Sequence, residues 1–163
     1  MRLTQWTDYT LRVLMYCAAN LERVQPVTIS EIALNHGISR SHLTKIVQEL
    51  AALSWLETTR GRGGGMRLLV PANAISVGDI VRATETDFHM VECFEPTQNQ
   101  CRMSSYCQLK TVLHQATEAY FSVLNATTLA DLVASYPSAT TDAKFGLLQP
   151  IPLPPSTPAV TGP

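Results

Sequence analysis

The sequence lacks any apolar run that approaches the roughly 20 residues of a membrane-spanning helix. Its opening stretch, MRLTQWTDYT, also lacks the apolar core of a secretory signal. We therefore expect a cytoplasmic protein without a membrane partner. In that reducing compartment, clustered cysteines more often bind metal or sense redox state than form structural disulfides.

The sequence also lacks the patterns of an enzyme. Its four histidines are scattered, and no nucleophile lies in a recognisable strand-turn-helix elbow. The glycine-rich stretch around Gly63 is not followed by the Gly-Lys-Ser/Thr of a nucleotide-binding loop. A chain of 163 residues has little room for a substrate pocket beside a catalytic cluster. We therefore expect a protein that is not an enzyme.

Charge is unevenly distributed along the chain. The net charge is −1, but residues 1–70 carry eight Lys and Arg against five Asp and Glu, whereas residues 71–163 carry four against eight. The two parts therefore have net charges of +3 and −4, which indicates different partners. Positive charge favours nucleic acid, because cations bound at phosphates release counterions.

A first helix is predicted to begin at Thr4 or Thr7, either of which can cap it, and to end near Asn20, before Pro26. Its apolar residues recur at roughly helical spacing, at Leu11, Leu14, Cys17, Ala18 and Leu21. Cys17 is thus expected to be a small buried hydrophobic residue rather than a ligand.

Two further helices are predicted to follow. Thr28 and Glu31 have the spacing of a capping box at the start of a short helix that Gly37 ends. Ser39 then caps a third helix, whose apolar stripe comprises Leu43, Ile46, Val47, Leu50 and Leu53. Two helices joined by a short glycine-containing turn indicate a helix-turn-helix.

The third helix is the predicted recognition helix, since such helices reach base edges in the major groove with their first turns. Ser39 at its N-terminus suits phosphate binding. The alternative is an ordinary core helix with a solvated polar face. The predicted DNA-binding residues of these two helices are Thr28, Ser39, Arg40, Ser41, His42 and Lys45.

Residues 57–70 have the pattern of two short strands around a glycine-rich turn. Glycine tolerates the positive φ angles of a tight hairpin. The hairpin also carries Arg60, Arg62 and Arg67, and arginine suits phosphates or a narrow minor groove. We interpret the hairpin as the wing of a winged helix, with Arg60 and Arg62 as predicted DNA contacts.

Three cysteines fall within fifteen residues, in the pattern Cys93-x7-Cys101-x5-Cys107. A disulfide pairs thiols and a closed zinc site needs four ligands, so three clustered thiols predict a metal centre whose fourth position is filled from elsewhere. An iron–sulfur cluster fits that description best. His89 and His114 are further candidate ligands, although a lone histidine is more often a surface or core residue.

Three helices are predicted beyond the wing. Ser76 caps one over residues 77–84, and Thr128 caps another over residues 129–134 that folds back on the winged domain. A long helix over residues 108–125 carries an apolar stripe that one chain of this size would leave wet, which favours dimerisation. The stripe comprises Leu109, Val112, Leu113, Ala116, Tyr120, Val123 and Leu124.

Several of these segments together resemble the Rrf2 family of dimeric winged-helix regulators. The resemblance rests on MRLTQWTDYTLRVLMY, GISRSHLTKIVQEL, RGRGGGMRL, ISVGDIVRATE and the three cysteines, and it covers residues 1–135. It implies a mainly α fold with a small β-hairpin wing, in which a winged helix-turn-helix domain is joined to a long dimerisation helix. It also implies a homodimer that binds a double-stranded DNA operator.

We accordingly expect four parts in the chain. Residues 1–84 form the winged helix-turn-helix DNA-binding domain, and residues 85–107 form the cluster-binding loop. Residues 108–136 form the dimerisation helix and a short C-terminal helix. Residues 137–163, rich in Pro, Thr, Ser and Ala, are expected to be a disordered tail.

Within the family, the nitric-oxide-sensing repressors are the most similar, because they have an aspartate near the start of the first helix, where this chain has Asp8. The resemblance implies a [4Fe-4S] cluster, with [2Fe-2S] as the alternative, held by Cys93, Cys101 and Cys107. Asp8 would be the fourth ligand, reaching the cluster of the other subunit. As sequence alone, an acidic residue in a first helical turn is better explained by the helix dipole, and only the resemblance favours Asp8 as a ligand.

Two other branches of the family differ at the position of the fourth ligand. Iron–sulfur-assembly regulators have a histidine three positions after the third cysteine, where this chain has Lys110, and an ammonium cannot ligate. Iron-responsive members resemble the chain in MYCAAN and in the cysteine spacing. They tend, however, to have asparagine at the position of Asp8.

The expected function is transcriptional repression that nitric oxide relieves. Two recognition helices would occupy successive major grooves of a near-palindromic operator. Nitrosylation of the cluster would displace Asp8, lower operator affinity and derepress nitric-oxide stress genes. One alternative is an iron-responsive or cluster-status-sensing regulator of the same family. Another, from a different class, is an iron–sulfur carrier or electron-transfer protein, which would not need a helix-turn-helix.

Overall fold

The computed structural model describes residues 2–95, 97 and 99–136. The predicted tail, residues 137–163, lies outside them. The described helices and strands are α1 (Gln5–Ala19), α2 (Ile29–His36), α3 (Arg40–Ala52), β1 (Leu56–Thr59), β2 (Gly65–Leu68), α4 (Val77–Thr84), α5 (Gln108–Asn125) and α6 (Leu129–Val133). The predicted mainly α fold with a β-hairpin wing is confirmed.

Side-chain caps fix where the helices begin. Thr4 rather than Thr7 caps α1, because its hydroxyl accepts a hydrogen bond from the Thr7 amide. Thr28 and Glu31 form the predicted capping box of α2. Gly37 ends α2 in the left-handed region with φ 65°, which glycine adopts without strain. Ser39, Ser76 and Thr128 cap α3, α4 and α6 in the same way, whereas Cys107, the N-cap residue of α5, forms no side-chain capping bond.

The hydrophobic core lies where α1, α2, α3, α4 and α6 meet the wing. Its fully buried residues include Leu14, Ile32, Leu43, Ile46, Leu50, Leu56, Met66, Ile80 and Leu129. Two residues that the sequence predicts in apolar stripes are not buried, since Leu21 is 48% and Leu53 is 41% exposed. Leu21 follows the end of α1, and Leu53 is the C-cap of α3, so neither side chain continues the buried face of its helix.

Cys17 is a core residue, as predicted, with only 3% of its surface exposed. Burial raises the pKa of its thiol to about 12. The side chain is therefore a neutral thiol at physiological pH and packs as a small hydrophobic group.

The wing is an antiparallel pair in which Leu56 lies opposite Leu68 and Thr59 lies opposite Gly65. The second strand also pairs with the segment before α2. The Val27 amide donates to the Met66 carbonyl over 3.0 Å, and the Met66 amide donates back over 2.7 Å. The wing is thus attached to the helix-turn-helix by backbone hydrogen bonds.

The C-terminal helix returns to the winged domain, as predicted. The Leu129 amide donates to the Ile75 carbonyl over 2.9 Å, and the Val77 amide donates to the Thr127 carbonyl over 2.8 Å. These bonds pair the start of α6 with the start of α4, and Leu129 is fully buried in the core.

The long helix α5 has no fully buried residue. Its predicted apolar stripe is divided between two faces. Leu113 and Leu124 are half-buried, whereas Leu109, Val112 and Val123 are 61%, 57% and 67% exposed. Among the residues described, no helix combines the length and apolar character needed to cross a membrane.

Candidate functional site

The recognition helix α3 presents the face that the sequence predicts. Arg40, Ser41, His42 and Lys45 are exposed, whereas the neighbouring apolar side chains of α3 are buried in the core. The hydroxyl of Ser39 accepts from the His42 amide over 3.4 Å. A capping hydroxyl still has its own hydrogen to donate, so Ser39 can cap the helix and donate to a phosphate.

An open cleft of about 680 Å³ lies between the start of α2, the helix α3 and the wing. Thr28, Arg40 and Arg60 all line it, so the structure brings together predicted residues from three separate elements. Hydroxyl and guanidinium groups are common donors to the phosphate backbone. The cleft can therefore receive a phosphodiester strand.

The three arginines of the wing have different surroundings. Arg60 and Arg62 are exposed at the turn, where Gly61 and Gly63 adopt positive φ angles of 96° and 79°. Arg67 instead is half-buried and donates from Nη1 to the Arg23 carbonyl over 2.8 Å. Its Nη2 also donates to the Val24 carbonyl. The acceptors precede Arg67 by 44 and 43 residues, so no local pattern in the sequence predicts this role.

His42 also contacts α1, a contact that the sequence does not predict. Its ring centroid lies 6.2 Å from that of Tyr9, and the Gln5 side chain donates from Nε2 to the Tyr9 hydroxyl over 2.9 Å. The first turns of α1 and of the recognition helix are therefore in contact.

A polar network fixes the start of α2. The Tyr16 hydroxyl donates to Oε1 of Glu31 over 2.8 Å, and Arg23 donates to the same oxygen. Burial raises the pKa of Glu31, but the hydrogen bonds from Arg23 and Tyr16 outweigh it, and the net pKa is below the usual value. Burial and the neighbouring Glu31 together raise the pKa of Tyr16. Glu31 is thus ionised and Tyr16 neutral over the physiological range.

The three clustered cysteines lie between α4 and α5. Cys93 is half-buried in a short 3₁₀ turn (Glu92–Phe94), Cys101 is exposed, and the half-buried Cys107 is the N-cap residue of α5. All of them are free thiols.

The segment before Cys93 packs on α5. Phe88 meets Phe121 edge to face, with centroids 4.7 Å apart, and the Thr117 hydroxyl donates to the sulfur of Met90 over 3.1 Å. Cys93 lines an open groove of about 870 Å³ beside α5, together with His89, His114 and Lys110. The position of Cys93 therefore depends on α5.

The same segment is joined at its start to α1. Oε1 of Glu85 accepts from the Thr4 amide over 2.7 Å and from the Thr4 hydroxyl over 3.1 Å. Beside it, the Thr84 hydroxyl donates to that of Thr7 over 2.9 Å. Since Thr4 is the N-cap of α1, the beginning of the cysteine segment and the beginning of α1 are held together.

Asp8 lies one turn into α1. Its two carboxylate oxygens accept from Arg12 over 3.1 and 3.0 Å, and its side chain is 46% exposed. In the described part of the chain, no three Cys, His, Asp or Glu side chains lie together closely enough to hold a metal ion. The structure of one chain therefore does not gather Asp8 and the three cysteines, and this ligand set stays a prediction.

The chemistry of the donor set nevertheless fits an iron–sulfur cluster. Thiolates are the usual ligands of such clusters, and the segment offers three thiols that form no disulfide. Cys101 and Cys107 lie on either side of a turn, residues 102–106, and outside the helices and strands.

A helix-turn-helix with an exposed basic recognition helix and an arginine-tipped wing defines a transcriptional regulator of the winged-helix class. Residues 3–135 match the Rrf2 family, which is described as an iron-dependent transcriptional regulator. The chain belongs to this family. It is a transcriptional regulator and not an enzyme.

Individual relatives agree with this assignment. The chain is 48% identical over 134 residues to the HTH-type transcriptional regulator NsrR of Bacillus subtilis, covering 82% of this chain and 90% of that protein. It is 45% identical over 133 residues to NsrR of Geobacillus kaustophilus, covering 82% and 90%. The crystal structure of oxidised CymR of Staphylococcus aureus superposes with a TM-score of 0.64 at 28% identity, covering 82% of this chain and 96% of CymR.

Proposed function

We propose that the protein is a homodimeric DNA-binding repressor that senses nitric oxide through an iron–sulfur cluster. The observation that carries the proposal is the position of the cysteine segment. It bears three free thiols, packs on α5, and is joined to the start of α1 through Glu85 and Thr4. A change in this segment therefore reaches the DNA-binding domain directly.

The DNA-binding part of the proposal is supported by the exposed face of α3 and by the wing. Arg40 and Lys45 project from the recognition helix, and Arg60 and Arg62 project from the tip of the wing. In a dimer, each subunit would place α3 in one major groove and the wing arginines at the adjacent minor groove. Thr28 and Arg40 would hold the phosphate strand between these contacts.

The sensing part rests on Cys93, Cys101 and Cys107 as the thiolate ligands, with Asp8 as the fourth. A cluster held there would supply a centre that reacts with nitric oxide. Within the chain, Arg12 holds the Asp8 carboxylate at two points and so limits its orientations. Each carboxylate oxygen keeps a further lone pair with which it can ligate.

The test measures DNA affinity in three states of the protein. The full chain is purified without air, and a DNA duplex is selected from a random pool with that preparation. Affinity is then measured for the untreated protein, for protein treated with a nitric-oxide donor, and for protein stripped of iron. We expect both treatments to weaken binding by roughly 5- to 150-fold, the usual size of coupling between two sites. Equal affinity in all three states would eliminate the sensing mechanism but leave the DNA-binding function intact.

The role of Asp8 is tested separately by anaerobic native mass spectrometry. Asp8→Ala is compared with the wild type and with Glu22→Ala, which removes an exposed acidic residue after the end of α1. Only Asp8→Ala is expected to change the rate at which nitric oxide adds to the protein. An unchanged rate in that variant would remove Asp8 from the ligand set.

An iron-responsive regulator is the second candidate, favoured by the family description as iron-dependent. The two functions differ in the signal that releases DNA. In an iron-responsive protein, a mild chelator would take iron from the cluster and release DNA without nitric oxide. In the proposed sensor, the same mild chelator should leave both the cluster and DNA binding unchanged, and nitric oxide should release DNA.

A further inference from the structure

Arg67 is the one arginine of the wing whose guanidinium is used inside the protein. Its two terminal nitrogens donate to the carbonyls of Arg23 and Val24, in the loop between α1 and α2. Arg60 and Arg62, by contrast, are exposed at the turn. Two of the three wing arginines can thus reach DNA freely, while the third has its fork occupied by carbonyl groups.

The loop that Arg67 holds is itself fixed to the helix-turn-helix. The side chain of Arg23 donates to Oε1 of Glu31, which belongs to the capping box of α2, and to Oδ1 of Asn20. Glu31 and Thr28 together cap α2. A continuous set of hydrogen bonds therefore runs from the second strand of the wing, through Arg67 and the loop, to the start of α2.

This connection sets the distance between the wing and the two helices. The backbone pairing of Val27 with Met66 and the burial of the Met66 side chain hold the base of β2. The Arg67 side chain adds a second attachment, to the α1–α2 loop, which restrains rotation of the hairpin about the first. Arg60, at the far end of the hairpin, would move the most if the restraint were lost.

We propose that Arg67 is a positioning residue, which fixes the wing against the α1–α2 loop so that Arg60 and Arg62 meet DNA together with α3, and which does not itself bind phosphate. The inference rests on the proposed DNA binding. It assigns different roles to three arginines that look alike in the sequence.

The test is a pair of double-mutant cycles measured by DNA affinity, with the selected duplex described above. In one cycle Arg67→Gln is combined with the wing variant Arg60→Gln/Arg62→Gln. In the other it is combined with Lys45→Gln, on the recognition helix. Because Arg67 acts only through the wing, Arg67→Gln is expected to lower DNA affinity roughly tenfold on the wild-type background. On the background that lacks Arg60 and Arg62, the same substitution should lower it by less than about twofold. With Lys45→Gln the two losses should multiply.

The salt dependence of binding gives an independent readout. Each phosphate contact contributes about −0.9 to the slope of log affinity against log salt concentration on duplex DNA. On the background that lacks Arg60 and Arg62, Arg67→Gln should leave this slope unchanged. A further decrease of about one in its magnitude would identify Arg67 as a direct phosphate contact and overturn the inference.

Arg67→Lys separates the geometry of the fork from its charge. Lysine keeps the positive charge but has no planar fork to bridge two carbonyls, so it should lose nearly as much affinity as Arg67→Gln. Full affinity in Arg67→Lys, or equal losses from Arg67→Gln on every background, would contradict the positioning role. The wing variant Arg60→Gln/Arg62→Gln and Lys45→Gln are also measured without Arg67→Gln. If each of them binds DNA like the wild type, the proposed DNA interface itself is wrong.

Discussion

A Cβ atom built on Gly78 would lie 2.0 Å from Oδ1 of Asn125, so a side chain at this position of α4 would have to displace the Asn125 side chain of α5. The same Oδ1 accepts from Arg82 over 2.8 Å, and the Arg82 guanidinium lies 4.4 Å from the centre of the Phe121 ring. These contacts orient α5 on the winged domain. Since the cysteine segment packs on α5, they also help to position Cys93.

We expect Gly78→Ala to destabilise the protein. Alanine favours a helix over glycine by about 1 kcal/mol, so helix propensity alone predicts a stabilisation. The clash with Asn125 should reverse the sign and cost about 1–3 kcal/mol, the usual range for overpacking. Urea denaturation of the wild type and the variant measures the difference.

The double variant Gly78→Ala/Asn125→Ala is the control for this prediction. Asn125→Ala removes the obstructing oxygen and the bond from Arg82, so it destabilises alone, but Gly78→Ala should cost little when added to it. Equal costs of Gly78→Ala on both backgrounds would show that the contact with Asn125 is not the cause.

The sequence predicts those features of the fold that depend on neighbouring residues. Thr28 and Glu31 form a capping box because the two side chains lie within one turn of each other, and Gly37 ends α2 for an equally local reason. Contacts between distant residues are not predictable in this way. The place of Arg67 in the hairpin groups it with Arg60 and Arg62, yet its acceptors lie 44 and 43 residues away.

The long helix illustrates the same limit. Its apolar spacing predicts α5 and a buried stripe, but the spacing does not say which part of the stripe faces the protein's own chain. That division follows from where Phe88 and α4 pack. It leaves Leu113 half-buried and Val112 exposed.

We expect the exposed stripe of α5 to form the dimer contact, so Val112→Asp should convert the protein to a monomer. Val112 is 57% exposed in one chain, and it shares a face with Leu109 and Val123 at helical spacing. An introduced carboxylate would have to be buried without a partner in the dimer. Light scattering after size exclusion measures the mass.

Thr111→Asp is the matched control for the dimer prediction. Thr111 is exposed on the neighbouring face of the same helix. An aspartate at this position adds the same charge away from the stripe, so the variant should stay dimeric. A dimeric Val112→Asp, or dissociation by both variants, would contradict the assignment of this face.

Glu31 should make the free energy of unfolding fall as the pH is lowered into the acid range. Burial raises its pKa, but the bonds from Arg23 and Tyr16 outweigh this and lower it below the ordinary 4.5. The unfolded chain therefore binds the proton more readily than the folded one, so the stability due to ionised Glu31 is present above pH 4.5 and is lost as the pH falls through the lowered pKa. Glu31→Gln should cost about 1–2 kcal/mol at neutral pH, given the partial exposure of the site.

The pH series distinguishes this effect from a general loss of packing. The difference in unfolding free energy between Glu31→Gln and the wild type should shrink in acid, because the protonated wild type then resembles the variant. Asp79 and Asp131 also have lowered pKa values, through hydrogen bonds from Ser76 and Thr128, but they are present in both proteins and cancel in the difference. A difference that stays constant with pH would mean that the charge of Glu31 contributes nothing.

Cys101 and Cys17 should separate metal binding from stability. Cys101 is exposed, so Cys101→Ala is expected to leave the unfolding free energy within about 0.5 kcal/mol of the wild type. It should nevertheless abolish iron and sulfide retention, since it removes one of three predicted thiolate ligands. Cys17→Ala is the reverse case, because it replaces a core side chain that is 3% exposed and should cost about 1 kcal/mol or more.

We expect Cys17→Ala to retain iron, because Cys17 of the wild type is a core residue and not a ligand. Cys17 is 3% exposed among apolar core residues, and in the described part of the chain it belongs to no group of three potential ligands. Burial also raises the pKa of its thiol to about 12, so the sulfur is a neutral core group. Iron and sulfide analysis of protein purified without air, together with urea denaturation, measures both properties on the same samples. Full iron content in Cys101→Ala would exclude that residue as a ligand. Loss of iron from a folded Cys17→Ala would show instead that the core of the winged domain takes part in holding the metal.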